Sequence, residues 1–329
     1  QHGNRSLRAT QRIVSTTLAL AERLAHPESM ARAFIASGIA GTLQGRWRSS
    51  AEHLSRAETV MRDRCTGMDF ELHITQHHQL IAQWVMGHFG VVAEKLPILL
   101  KEARERGDLL AITDLRTSME GLLIVLEDQP DRARSELAEA IAGWTTMGFH
   151  TQHYHTLVSR TNLELYAGHT SLACEVLEAA WPTLAKSMLL HVQSIAITAL
   201  ELRARVHLAQ VGGTPDSAPH LAAAHKAMRR IEREGTSYGA ALVLKLEALE
   251  HLVRGRNAEA QTGLLRAELA FESCEMTAHA MAARLVRGVL AGEPGQEIRL
   301  SAETWLRSQG VKNPSRFAAM HLPAAPFRS

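Results

Sequence analysis

The sequence predicts an all-α fold: an α-solenoid of helical hairpins with about 40–44 residues per repeat. Three observations carry the prediction. A turn position recurs six times along the 329-residue chain, at Gly45, Gly87, Asp128, Gly168, Gly212 and Gly255, with spacings of 42, 41, 40, 44 and 43 residues. Nine residues beyond each stands a leucine (Leu54, Leu96, Leu137, Leu177, Leu221, Leu264), and twelve beyond stands Ala57, Ala140, Ala180, Ala224 or Ala267, with Leu99 replacing alanine in the second unit. Alanine and leucine dominate the composition while aromatics make up 5%. Both residues favour helix, and alanine lets helix axes approach closely. A hairpin of two helices of roughly 18 residues, each about 27 Å long, cannot bury both faces of either helix, so neighbours must close the core.

Taken in order, residues 7–25 carry apolar residues at helical spacing and end before Pro27. They read as the leftover helix of a preceding repeat, which assigns 1–26 to that helix. Unit one pairs 28–44 with 48–64. Glu28 suits the start of a helix dipole. Gly38 and Gly41 lie inside the first helix at a cost of ~1 kcal/mol each, which implies close approach by a neighbour. Unit two pairs 69–86 with 89–106 and closes at Gly107-Asp108. Unit three pairs 109–126 with 130–146, and Pro130 fits the first turn, where a missing N–H is harmless. Unit four pairs 150–166 with 170–186, where Pro182 predicts a kink or an early end. Unit five pairs 187–210 with a helix beyond the loop Gly212–Ser217; Leu221 and Ala224 keep the register through that loop. Unit six pairs 237–254 with 257–274. The six hairpins therefore fill 27–275. Residues 276–329 read as capping helices and a tail: a helix near 276–291, the break Gly292-Glu293-Pro294-Gly295, and a last helix through Trp305. The leucine and alanine positions are not recovered there, as expected of a cap whose outer face meets water.

Composition excludes several function classes. Hydrophobic residues make up 46% and charged residues 21%, so the chain can bury a core. A net charge of +2 does not argue for nucleic acid, and the basic runs at 101–106 and 226–233 are interleaved with Glu102, Glu105 and Glu232. Cys65, Cys174 and Cys274 fit no disulfide framework or zinc pattern and read as buried free thiols of a cytoplasmic protein. The 22 residues between Glu71 and Glu94 hold no charged side chain, yet four histidines and three glutamines fall among them. They read as buried solenoid helix, with no membrane span.

No chemistry is legible. Among 18 histidines, His73 and His77 share a helix face at a zinc-compatible spacing, but no His-Glu-x-x-His motif and no third ligand accompany them. His150, His153 and His155 flank Tyr154 at a helix start and read as ordinary helix-start residues. Phosphate loops, kinase signatures and Gly-x-Ser-x-Gly elbows are missing. The expectation is no catalytic residue, no metal and no cofactor. Stacked hairpins leave a concave groove lined by first helices. Trp84, Arg116, Tyr154 and Arg160 lie on such helices and are the candidates for binding a protein or peptide segment, set against the plainer reading of core aromatics and structural arginines. Trp47 and Phe89, at one elbow position, read as hairpin plugs.

The hairpins are similar to tetratricopeptide repeats in a longer form. Four segments narrow the resemblance: Leu43–Trp47, Arg62–Gly67, Gly148–Tyr154 and Trp305–Phe317. In that order they resemble the C-terminal helical region of large multidomain bacterial serine/threonine protein kinases, in which a kinase domain and an AAA-type ATPase segment precede the array. The resemblance implies a non-catalytic scaffold that senses, regulates or binds partners, other domains of its parent among them. It transfers no catalytic residue, because none of those motifs lies in this chain. The alternative from another class is a solenoid that senses a small molecule and so regulates an attached ATPase or transcription regulator.

Overall fold

The computed structural model describes residues 2–211 and 217–327, with side chains from residue 9 onward. All regular structure among them is helical. Helix α1 spans His2–Leu24. The first two hairpins are α2 (Pro27–Leu43) with α3 (Trp47–Arg64), and α4 (Asp69–Met86) with α5 (Phe89–Arg106). The third begins as α6 (Leu109–Leu115), widens into a π-helical turn at Arg116–Glu120, resumes as α7 (Gly121–Leu126) and returns as α8 (Pro130–Ala142). Then come α9 (Thr151–Tyr166) with α10 (Thr170–Lys186), and α11 (Gln193–Leu208) with α12 (Ser217–Glu234). The sixth is α13 (Ser237–Val253) with α14 (Asn257–Ser273). Helices α15 (Thr277–Leu290), α16 (Gln296–Ser308) and α17 (Pro314–His321) complete the chain.

The elbows sit where the spacing puts them. Gly45, Gly87, Asp128, Gly168 and Gly255 all have positive φ, between 59° and 82°; Gly212 lies outside the described residues. Asp128 tolerates the left-handed conformation and uses its side chain there, accepting hydrogen bonds from Tyr166 Oη at 2.9 Å and Asn313 Nδ2 at 3.2 Å. Leu54, Leu96, Leu137, Leu177 and Leu264 are buried, as are Ala57, Ala140, Ala224 and Ala267. Leu221 and Ala180 are only half-buried. The glycines inside α2 answer to close packing: a Cβ on Gly38 would overlap Leu54 Cγ, and one on Gly41 would lie 3.1 Å from Ser50 Cβ. Pro182 does not end α10, which runs on to Lys186.

The array curls until its ends meet. A Cβ on Gly45 would lie 2.6 Å from Tyr238 Cδ1, and one on Gly87 would lie 2.5 Å from Trp305 Cη2. Trp47 meets Tyr238 edge-on at 5.6 Å, and Arg48 pairs with Glu275 at 2.8 Å. Lys312 N–H donates to Leu126 O at 2.9 Å, and Arg316 pairs with Asp128 at 2.9 Å. The elbows of units one to three thus rest on unit six and the cap, which makes one superhelical turn. Helix α16 presents an outer face to solvent, Leu300 included, as expected of a cap. Helix α17 lies beyond the last helix the sequence predicts, and it turns inward. It packs on α9 and α15, with Phe317, Met320 and Leu322 buried.

Candidate functional site

The turn encloses a cavity of about 1050 Å³, lined by the first helix of every unit together with α15 and α17. Each helix contributes one stripe at i, i+3, i+4 spacing. On α4 the stripe is His73, Ile74, His77, His78, Ile81 and Trp84; on α11 it is Ser194, Ile195, Thr198, Glu201 and Arg205. Walls of Trp47, Trp84, Tyr154, Tyr238 and Met276 make the lumen predominantly apolar, with polar groups gathered at two poles.

The first pole is Asp114, buried on α6 among imidazoles. His73 Nε2 lies 3.1 Å from its Oδ2, His77 Nδ1 lies 3.3 Å from the same oxygen, and His155 Nδ1 lies 2.8 Å from Oδ1. Burial alone would raise the carboxyl's pKa; the facing imidazoles of His77 and His155, and hydrogen bonds from His155 and His73, outweigh it and hold the group well below the usual carboxylate range. Burial pushes His77 down to about 3 and His78 to about 4, so both rings are neutral at pH 7.

The second pole joins α11, α13, α15 and α17. Glu201 pairs with Arg205 at 3.1 Å and with the Lys245 ammonium. Arg205 also donates to Asn162 Oδ1 at 2.9 Å and to the Met320 carbonyl. Two cations against one carboxylate leave this pole net positive. Burial works against the Glu201 charge, but Arg205 and Lys245 hold the group at about 2. Burial pushes Lys245 down to about 8 and His279 to about 3. Nδ1 of His78, His279 and His321 and Nε1 of Trp47, all on residues that line the lumen, are among the buried atoms with no hydrogen-bond partner among the described residues.

Of the four candidates from sequence, Trp84 and Tyr154 line the lumen. Trp84 packs on Phe89 at 4.6 Å. Arg116 and Arg160 lie outside it. Arg116 is clamped by Glu120, Glu136 and Glu139 at 2.8, 2.9 and 3.3 Å, and Arg160 pairs with Glu164 at 2.6 Å. Trp47 does more than plug a hairpin, because it faces the lumen. The third and fourth partners that the histidine pair lacked in sequence, Asp114 and His155, arrive from the next two units. The separations from His73 to Asp114 and from Asp114 to His155 are both 41 residues, one repeat each. The repeat register was therefore the signal that could have found them.

Among the described residues, two side-chain groups have metal-ligand chemistry. One is His77, Asp114 and His155 in the lumen; the other is Cys174, His207 and His220 between α10, α11 and α12. In the second group His207 Nδ1 lies 2.9 Å from His220 Nδ1 and His207 Nε2 lies 3.2 Å from Glu178 Oε1. One N–H on each contact satisfies both rings without an ion. The three cysteines are free; Cys174 and Cys274 are buried, whereas Cys65 is only partly so. No helix among the described residues is long and apolar enough to cross a membrane. No protein-family model matches the chain, and no curated protein matches it.

Proposed function

We propose that the chain is a non-catalytic sensor module whose lumen takes a small amphipathic organic molecule. The observation that carries this reading is the cavity of about 1050 Å³ with aromatic and aliphatic walls and two convergent polar poles, the general form of a small-ligand site. The net positive pole, where Arg205 lines the lumen and Lys245 is buried behind it, suits an acidic group on the ligand, and the walls around Trp84 and Tyr154 suit its apolar body. The groove-binding alternative, a protein or peptide segment on the concave face, has less support, because Met320 and His321 of α17 already occupy part of that face. A ligand that binds the closed turn better than an opened one would shift an attached enzyme between states. The four segments noted above support placing the module in a cytoplasmic bacterial serine/threonine protein kinase that also carries an ATPase domain.

A thermal-shift screen of amphipathic acids, with a peptide array in parallel, tests the reading. Ligands that stabilise the wild type by several degrees, as binding at about 100 times Kd does through ~2.7 kcal/mol, are expected. Thr198→Trp should weaken the shift, because this side chain stands exposed in the lumen and the indole would intrude on a ligand there without repacking a core. Peptide binding that survives Thr198→Trp, with no stabilising small molecule, would overturn the proposal.

A further inference from the structure

We propose that His77, Asp114 and His155 bind one divalent transition-metal ion of the zinc, iron(II) or manganese(II) class, with its open coordination positions facing the lumen. Two imidazoles and one carboxylate suit these ions, and so does a site left open on one side.

The distances fit. His77 Nδ1 lies 3.3 Å from Asp114 Oδ2 and His155 Nδ1 lies 2.8 Å from Asp114 Oδ1. One ligand atom of each of the three residues falls within 4.8 Å of the other two. Metal–ligand bonds of about 2.1 Å at right angles place neighbouring donor atoms roughly 3 Å apart, so an ion can enter with little movement of the side chains, releasing to solvent the proton that His155 Nδ1 shares with Asp114.

Proton accounting points the same way. Ser118 Oγ lies 2.6 Å from the Asp114 carbonyl oxygen, so its single hydrogen is committed there. Towards His77 Nε2, 3.1 Å away, Ser118 can therefore only accept, and His77 must carry its proton on Nε2. That tautomer leaves Nδ1, 3.3 Å from the Asp114 carboxylate, as the nitrogen that would ligate an ion. The surroundings match what metal ligands need. The second ring nitrogen of His77 is held by Ser118, and the carboxylate is oriented by a hydrogen bond from His73 Nε2 at 3.1 Å. Asp114 and Ser118 flank and enter the π-helical turn Arg116–Glu120, a distortion that occurs often at functional sites.

This inference stands apart from the organic-ligand reading, since ion uptake is measured on the chain alone. The full chain is stripped with a chelator and titrated with Co²⁺, followed by equilibrium dialysis and visible absorption. One tightly bound Co²⁺ is expected, with visible ligand-field bands and no near-ultraviolet thiolate charge-transfer band. Asp114→Asn and His77→Gln should each weaken uptake by roughly 100-fold, and His73→Gln by about 10–100-fold, with helical circular dichroism retained. Cys174→Ala should leave uptake unchanged. A wild type that takes up no Co²⁺ at micromolar concentration overturns the proposal whatever the variants do. So does uptake that persists in Asp114→Asn, or that shows a thiolate band and vanishes with Cys174→Ala; a His77 protonated on both nitrogens would then account for the contact with Asp114.

Discussion

Lys245 is 1% exposed, and its ammonium has Glu201 as its carboxylate partner. Burial lowers its pKa from 10.5 to about 8. Between those values the unfolded chain holds a proton that the folded chain has released, so this residue makes stability rise with pH across the window. Below about 8 both states are protonated and the full cost of the buried cation is present. Glu201 acts at the other end of the scale. Burial opposes its charge, Arg205 and Lys245 outweigh that and hold it at about 2 against 4.5, so its stabilisation is in place above 4.5 and is lost as pH falls through 2. Lys245→Met leaves Glu201 with Arg205 and removes the alkaline limb. The expected outcome is a stability difference, variant minus wild type, that shrinks as pH rises from about 8 to about 9.5, with a slope of up to ~1.4 kcal/mol per unit. Urea midpoints at several pH values read it, and parallel curves for the two proteins would refute the assignment. At this scale the sequence told only half: His73 and His77 were visible as a helix face, whereas Asp114 carried no signal and His155 read as an ordinary helix-start residue beside His150 and His153. Their partnership exists only after the repeat is folded, because residues 41 apart become neighbours through stacking.

Within each hairpin, energetics turn on how close two axes come. Gly38 lets α2 accept Leu54, the residue nine past the first elbow, in direct contact. Ala267 does the same service in unit six at 0% exposure, whereas Ala180 is only half-buried. Gly38→Ala and Ala267→Leu are therefore expected to lower stability by about 1–3 kcal/mol through overpacking. Ala180→Leu should fall within ~0.5 kcal/mol of wild type. Equal effects of Ala180→Leu and Ala267→Leu in denaturant melts would contradict the packing. The hairpins were legible because leucine and alanine recur at fixed offsets from the elbows, and that pattern is a direct record of which face is covered. Helix α17 was not legible: eight residues give too few turns for a period to show. The π-helical turn had no signature either, since Arg116–Glu120 has the composition of ordinary helix.

How tightly a solenoid winds depends on the small rotation between successive repeats. No hydrophobic period encodes that rotation, which is why the closed turn and its lumen were absent from the sequence reading while the repeat itself was plain. Closure changes how the molecule should respond to damage. In an open array each unit contacts only its neighbours, and a perturbation fades within one repeat. Here Gly87, the elbow of unit two, lies against Trp305 and Ala278 of the cap. Gly87→Ala introduces a side chain into left-handed backbone at φ 82° and into the space that Trp305 fills. Gly107→Ala imposes comparable backbone strain at φ 66°, about 1–2 kcal/mol, but a Cβ there meets nothing within 4 Å. Hydrogen exchange on the two variants separates local strain from coupling across the turn. Both should lose protection in α4, α5 and α6, and only Gly87→Ala should also lose it in α15 and α16, some two hundred residues away. Loss confined to units two and three in both variants would mean that the ends touch without sharing stability, and the lumen would then lack the cooperative wall that a sensor needs to convert occupancy into a change of state.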